Sequence, residues 1–144
     1  MLVQKLRVHD LQSGAGFVDG VPVYAQNKRQ QVVLTQQWAK AQPAIHFSAM
    51  HPGWVDTPAV SASMPQFHQA MGRRLRSVEQ GADTAVWLAV SRAAGRTRSG
   101  LFFQDRSLAA AHLPLAWTHS SAEDVQDFMT QLETLARPLT QNLT

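Results

Sequence analysis

The sequence predicts an α/β fold in which helices cover a parallel β-sheet. Two short, nearly continuous apolar runs, Ala44–Met50 and Ser99–Asp105, have the length and pattern of strands that are covered on both faces. Three longer segments carry apolar residues at helical spacing, and the strands lie between them. The order helix, strand, helix, strand, helix is typical of a sheet layered by helices.

The composition is that of one globular domain. The chain has 144 residues, of which 44% are hydrophobic and 16% charged, so it can bury a core. The formal net charge is only +3 and the basic residues form no continuous stripe, so we predict no nucleic-acid binding. The absence of cysteine excludes disulfides and thiolate catalysis.

The beginning of the chain does not have the pattern of a signal peptide. The opening, MLVQKLRVHD, becomes charged after three residues and lacks the apolar core of a signal peptide. No later run is long enough to cross a membrane. The sequence therefore predicts a soluble protein without a transmembrane segment, cytoplasmic by default.

The first half of the chain is predicted to be a loop followed by a helix. Residues Met1–Leu6 could form the end of a strand, and the polar, glycine-rich segment Arg7–Gly20 is typical of a loop. Pro22 is tolerated in a first helical turn, and Pro43 ends a helix. These signals predict a helix over residues Tyr24–Ala41.

A second helix is predicted after the first strand. Thr57–Met71 is predicted as a loop with a short helix, and Ser77 with Gln80 forms the pattern of a capping box. The apolar side of the helix that begins there is predicted to comprise Ala82, Val86, Trp87 and Val90.

The last helix is predicted over residues 120–136, after the second strand and a loop through Pro114. Acidic residues in its first turn complement the helix dipole. Its predicted buried face comprises Val125, Phe128, Met129, Leu132 and Leu135.

Tyr24 and Lys28 form the first candidate for chemistry. They lie four residues apart on a predicted helix, so their side chains share a face. An adjacent ammonium favours the phenolate form of tyrosine and helps the phenol to exchange protons at neutral pH. The alternative is a snorkelling lysine beside a half-buried tyrosine, and the spacing alone favours this structural explanation.

The second candidate is MHPGWVDT, in which a predicted strand runs into Pro52, Gly53 and then Thr57. Open α/β sheets bind ligands at the carboxyl ends of their strands. Glycine permits close approach of the backbone to a ligand, and a threonine hydroxyl can donate to a carbonyl or amide. An ordinary strand-to-loop turn is the alternative for this segment taken alone.

Together these segments resemble the carboxyl-terminal half of the short-chain dehydrogenase/reductases. The resemblance rests on Tyr-x-x-x-Lys at a helix start, Pro-Gly-x-x-x-Thr after the next strand, and GADTAVWLA beyond it. It extends over essentially the whole chain. It implies that residues 1–144 are a partial Rossmann-like domain, the carboxyl-terminal part of a doubly wound parallel sheet whose first half, including the Gly-rich turn, is absent.

The resemblance implies NAD- or NADP-dependent hydride transfer between an alcohol and a carbonyl, with a small molecule as substrate. Tyr24 and Lys28 would be catalytic: Tyr24 would exchange the proton, and Lys28 would support it and bind the nicotinamide ribose. The loop after the strand would hold the nicotinamide carboxamide. The implied cofactor-binding residues are Tyr24, Lys28, Pro52, Gly53, Trp54, Val55 and Thr57.

Residues 57–76 correspond in this resemblance to the substrate loop. The implied substrate contacts are Met64, Phe67 and Met71. Three apolar residues at that spacing are also compatible with simple core packing. The six histidines show no metal-like spacing, so we predict no metal site.

Several family features have no counterpart in this sequence. The segment GAGFVDG, residues 14–20, imitates the dinucleotide fingerprint, but its third glycine is one residue late and Pro22 follows it. Ser13 lies in polar loop sequence and does not match the catalytic serine, and Asn27 stands where the family usually has serine.

Two functions therefore stay open at the level of the sequence. The first is an oxidoreductase whose activity belongs to a longer protein, this chain having impaired or no activity and weak cofactor binding. The alternative is a catalytically silent module that pairs with other subunits through the helix Tyr24–Ala41, for instance as a homo-oligomer. The choice between NAD and NADP and the identity of the substrate also stay open.

Overall fold

A computed structural model of the chain describes residues 1–14 and 19–140. Within this part the fold is α/β, as predicted, with five α-helices and three short strands. In chain order the elements are α1 (Gly20–Ala41), β1 (Ser48–Met50), α2 (Pro58–Ser63), α3 (Pro65–Met71), α4 (Val78–Val90), β2 (Leu101–Gln104), β3 (Ser107–Leu108) and α5 (Ala122–Thr140).

The three strands form one mixed sheet in the order β1, β2, β3. Strand β1 pairs with β2 in parallel, and β2 pairs with β3 in antiparallel orientation. The two predicted strands are confirmed, although both are shorter than predicted. Strand β3 was not predicted. It forms because Asp105 and Arg106 adopt left-handed conformations, with φ of 51° and 57°, and close a two-residue hairpin turn.

The chain divides into two compact units. The first comprises the described residues of Met1–Gln37 and Ala111–Thr144, and the second is Trp38–Ala110. The core of the first unit is a cluster of Leu6, Val8, Val33 and Phe128.

Helix α5 supplies one side of that cluster. Its predicted buried face is confirmed at Phe128, which is only 1% exposed, and at Val125, Met129 and Leu132, which pack against the cluster. Leu135 is 40% exposed, so its predicted burial is wrong. The reason is that the core cluster ends one helical turn earlier.

The amino-terminal segment Met1–Leu6 is irregular, so the suggested strand end is wrong. The side chain of buried Arg29 provides the hydrogen bonds that a neighbouring strand would otherwise supply. Its guanidinium donates to the carbonyls of Gln4 at 2.9 Å, Met1 at 3.1 Å and Ala111 at 2.6 Å. Carbonyls that lack a sheet partner require another donor. One arginine on α1 therefore stabilises a segment without regular secondary structure.

Helix α4 begins as predicted, but it buries a different face. The capping box is present: Gln80 N donates to Ser77 Oγ at 3.2 Å, and Ser77 N donates to Gln80 Oε1 at 2.9 Å. Val86 and Val90 are 57% and 77% exposed, and Gly81 is buried.

The other two residues of the predicted apolar side of α4 are Ala82 and Trp87. Ala82 is exposed, contrary to the prediction, whereas Trp87 contacts Phe103 edge-on, with ring centroids 5.9 Å apart. None of the helices in the described ranges is long and apolar enough to cross a membrane.

Candidate functional site

Helix α1 begins four residues before Tyr24, because Asp19 caps it. The Asp19 carboxylate accepts a hydrogen bond from Val21 N at 3.0 Å, and its carbonyl accepts one from Val23 N at 3.3 Å. Pro22 lies in the first turn, where its missing N–H costs nothing. The cap and the proline place Tyr24 in the second turn of a regular helix.

Tyr24 and Lys28 share one side of α1. Lys28 Nζ lies 5.4 Å from the centroid of the Tyr24 ring and donates to Gln31 Oε1 at 3.2 Å. The opposite side of the helix buries Gln26 and Arg29. Tyr24 is 65% exposed, so the alternative of a half-buried structural tyrosine does not describe it. The predicted juxtaposition of phenol and ammonium is present.

The loop after β1 turns sharply at Gly53. Gly53 has a φ of +79°, and its N–H donates to His51 Nδ1 at 2.8 Å. A Cβ built on Gly53 would lie 2.5 Å from Cδ of Arg76. The backbone conformation therefore favours glycine at this position, and a side chain here would also have to displace Arg76.

His51 supports this turn as a hydrogen-bond acceptor. Burial, helped by the positive charge of Arg76, lowers the pKa of His51 below its ordinary value. A neutral imidazole leaves one ring nitrogen free to accept, and here Nδ1 accepts from Gly53.

Thr57 ends the loop and caps α2. Its Oγ1 accepts from Val60 N at 3.3 Å, which leaves the hydroxyl hydrogen to donate elsewhere. Pro52 and Trp54 are exposed, and Val55 packs against Gly81 of α4. The loop thus has an outer surface and an inner side that packs on the helix.

The segment 57–76 folds as α2, α3 and a turn of 3-10 helix at Gly72–Arg74. Met64, Phe67 and Met71 are all half-buried. The rings of Phe67 and Trp54 lie 4.6 Å apart. His68 Nε2 lies 2.9 Å from Asp56 Oδ1. These two adjacent contacts hold α3 against the loop.

The predicted residues fall into two sets. Tyr24 and Lys28 belong to the first unit, whereas the loop 52–57 and the segment 57–76 belong to the second. Each set is assembled internally, and the meeting of both sets around one cofactor stays a prediction.

The structure describes two of the residues at which the sequence departs from the family pattern, Ser13 and Asn27. Ser13 is in a loop with a φ of 52°, and Asn27 is exposed on α1. Residues 15–18 of the fingerprint-like segment lie outside the described residues. In the described ranges, no group of three histidine, aspartate or glutamate residues is placed to hold a metal ion.

Sequence reasoning missed Arg76 and Asp105. Arg76 directly precedes the α4 cap and pairs with Asp105, with Nη1 and Oδ1 2.7 Å apart. Because the two residues are far apart in the sequence, no spacing within one segment could predict this ion pair. The two left-handed residues of the hairpin turn were equally hidden, because Asp-Arg is not a typical sequence for such a turn.

The structure combines a partial α/β sheet, a Tyr-x-x-x-Lys pair on α1 and a Pro-Gly-x-x-x-Thr loop after β1. The chain corresponds to a carboxyl-terminal part of a short-chain dehydrogenase/reductase with a partial Rossmann-like fold. It is 61% identical over 137 residues to dehydrogenase/reductase SDR family member 12 of Bos taurus and 58% identical to the Homo sapiens protein of that name.

Both alignments cover 95% of this chain but 43% of the relative, so the chain spans less than half the length of these proteins. A Streptomyces sp. (strain C5) protein provisionally named daunorubicin C-13 ketoreductase DnrU is 30% identical over 93 residues, which are 65% of this chain and 32% of that protein. No protein-family model matches the chain.

Proposed function

We propose that the chain supplies the proton-exchanging part of an NAD(P)-dependent oxidoreductase that transfers hydride between an alcohol and a carbonyl. The observation that carries this proposal is the Tyr24–Lys28 pair on an exposed side of α1. The naming of similar proteins as dehydrogenase/reductases and as a ketoreductase supports the same reaction type.

The residues present fit such a cofactor. Lys28 donates one hydrogen bond within the described chain, to Gln31, and an ammonium has three N–H donors. Two of them are thus free for the hydroxyls of a ribose. Thr57 keeps its hydroxyl hydrogen, and the turn at Gly53 brings backbone to the surface of the loop. When bound, the nicotinamide would supply or accept the hydride.

Tyr24 would exchange the proton. For reduction, its phenol donates to the oxygen that gains charge as the carbonyl carbon receives hydride, and for oxidation the same proton moves back. The positive charge of Lys28 stabilises the phenolate that remains. The substrate would be contacted by Met64, Phe67 and Met71, because these residues are half-buried on the segment that packs against the cofactor-binding loop.

We assign the full reaction to a longer protein. The chain spans 43% of its relatives' length, and three strands are present among the described residues. Rossmann-type sheets have about six strands and hold the pyrophosphate at their first turn. Residues 1–144 alone would therefore contact only the nicotinamide end, which is too little for appreciable cofactor binding, and their own activity would be impaired or absent.

The test uses a completed protein, in which residues 1–144 are joined to the preceding part of the cattle relative. Tyr24→Phe should abolish turnover and leave cofactor affinity nearly unchanged, because only the proton donor is lost. Lys28→Ala should weaken both. Turnover is followed by nicotinamide absorbance with a panel of carbonyl compounds, and affinity by calorimetry.

Two substitutions on the same helix serve as controls. Asn27→Ser and Lys40→Ala change exposed residues outside the pair and should preserve turnover. Undiminished turnover of the Tyr24→Phe protein would remove Tyr24 from the chemistry.

The second candidate is a silent module that pairs through α1. Tyr24, Gln31 and Trp38 are all exposed and recur every seven residues, a spacing used by helices that pair. A completed protein that forms a stable dimer, loses it on Gln31→Arg and never turns over a carbonyl compound would favour this function over the enzyme.

A further inference from the structure

Arg76 connects to the Gly53 loop through its backbone. Arg76 N donates to the Trp54 carbonyl at 2.8 Å, and Asp56 N donates to the Arg76 carbonyl at 2.9 Å. These bonds form an isolated parallel bridge between Val55 and Arg76. The loop is therefore tied to the residue that directly precedes the cap of α4.

The side chain of Arg76 passes beneath the turn. Its Cδ fills the position next to the missing Cβ of Gly53, and its Nη2 donates to the Gln80 carbonyl at 3.1 Å. Its Nη1 pairs with Asp105 Oδ1 at 2.7 Å, while Nε is buried without a hydrogen-bond partner in the described chain. Two contacts, one from each terminal nitrogen, thus hold the guanidinium in one orientation.

Asp105 reaches Arg76 because of the hairpin turn. Asp105 and Arg106 both have left-handed φ values, a conformation that costs energy for residues other than glycine. Each forms an ion pair, Asp105 with Arg76 and Arg106 with Asp83 of α4. Arg106 N also donates to buried Thr84 Oγ1 at 3.2 Å.

These contacts show that the hairpin turn packs against α4, the helix whose cap directly follows Arg76. An unfavourable backbone conformation persists when its surroundings over-determine it. Asp105 is thereby presented at a constant position relative to Arg76.

We propose that Arg76 is a positioning residue that sets the geometry of the Gly53 turn, and that Asp105 holds Arg76 in its working orientation. The consequence for catalysis rests on the proposed function, in which this loop binds the nicotinamide carboxamide. Arg76 then acts on the reaction through the loop and does not touch the substrate.

The first measurement is hydrogen exchange of the completed protein, with the amide of Asp56, which donates to the Arg76 carbonyl, as the reporter of the loop. Asp105→Asn removes the charge and keeps a residue that tolerates a left-handed conformation. We expect exchange at Asp56 to accelerate by about two- to fivefold, the upper part of the range that loss of a partly exposed ion pair produces.

Asp83→Asn is the matched comparison, because it removes the neighbouring ion pair of the same hairpin turn, and Asp83 pairs with Arg106 and not with Arg76. Its effect on exchange at Asp56 should be clearly smaller, since Asp83 influences Arg76 only through the turn and through its charge. Equal acceleration in both variants, or none in Asp105→Asn, would overturn the proposal, since the loop would then not depend on Arg76.

The second measurement is the kinetics of the completed protein. Asp105→Asn should raise the KM for the nicotinamide cofactor severalfold and leave the KM for the carbonyl substrate unchanged, and Asp83→Asn should raise the cofactor KM less. Equal cofactor KM in wild type and Asp105→Asn contradicts the consequence for catalysis, even if exchange shows that Arg76 sets the loop. Lack of turnover in the wild type refutes the proposed function instead, and the exchange measurement then still decides whether Arg76 sets the loop.

Discussion

Gly53 has a left-handed backbone conformation, with φ of +79°, and Cδ of Arg76 would lie 2.5 Å from a Cβ at this position. Gly53→Ala should therefore lower the free energy of unfolding by about 1–2 kcal/mol, from the backbone conformation alone, with a further cost if Arg76 must move. Chemical denaturation of the two proteins measures the difference.

Gly72→Ala is the control for that substitution. A Cβ at Gly72 meets nothing within 4 Å, and its φ of −46° suits any residue. Its stability should stay within a few tenths of a kcal/mol of wild type or rise slightly, because alanine restricts the unfolded chain. Equal losses in both variants would contradict the special role of Gly53.

His112 gives the first unit a pH dependence. Burial, with the positive charges of Arg29 and His119, lowers the pKa of His112 from 6.5 to about 4. The unfolded chain therefore takes up this proton before the folded one does, and the free energy of unfolding falls as the pH decreases from 6.5 to about 4. Above pH 6.5 this residue contributes no slope.

His112→Asn tests that dependence, because asparagine retains a hydrogen-bonding group and does not titrate. We expect a shallower fall in melting temperature between pH 6.5 and 4, although some slope remains because the pKa of His51 is also lowered. An unchanged pH profile of the melting temperature would show that His112 titrates alike in both states.

At the scale of the element, α4 shows how one glycine chooses the buried face of a helix. A Cβ at Gly81 would lie 2.5 Å from Cγ2 of Val55, so α4 approaches the loop along the side that carries Gly81. The alternative side with Val86 and Val90 is left exposed. Apolar periodicity cannot distinguish the two sides when a glycine allows the closer contact.

Gly81→Ala should destabilise the protein although alanine is the better helix former. The gain in helix propensity is about 1 kcal/mol and overpacking costs about 1–3 kcal/mol, so we expect a net loss near 1 kcal/mol. Val55→Ala combined with Gly81→Ala should recover part of that loss. A double-mutant cycle by chemical denaturation measures the coupling, and strictly additive effects would contradict the contact.

At the scale of the whole molecule, large apolar side chains remain on the surface of both units. Those more than half exposed include Val21, Val78, Val86, Val90, Leu108, Leu115 and Trp117. Exposed apolar surface and unpaired strand edges promote association with other chains. Residues 1–144 expressed alone should therefore be poorly soluble. Without the turn that holds the pyrophosphate in Rossmann-type sheets, they should also bind neither NAD nor NADP appreciably.

That expectation is tested by expressing the chain alone and titrating NADPH by calorimetry, with the completed protein as the positive control. The completed protein should be soluble and bind the cofactor. A soluble 144-residue monomer that unfolds cooperatively and binds NADPH as tightly as the completed protein would show that these residues form a sufficient domain.

The sequence by itself determined the features that depend on neighbours within one segment. The α/β class follows from apolar runs and helical periodicity within single segments, and the structure confirms it. The start of α4 at its capping box and the shared side of Tyr24 and Lys28 follow from spacings of three or four residues, and both are present. The resemblance likewise rested on local motifs.

Only the tertiary structure decided the features that join distant residues. Arg29 binds the carbonyls of Met1 and Ala111, and Arg76 joins the Gly53 loop to Asp105. No periodicity within one segment encodes such contacts, because they depend on how elements pack after the chain has folded. For the same reason the buried side of α4 and the hairpin to β3 became apparent only in three dimensions.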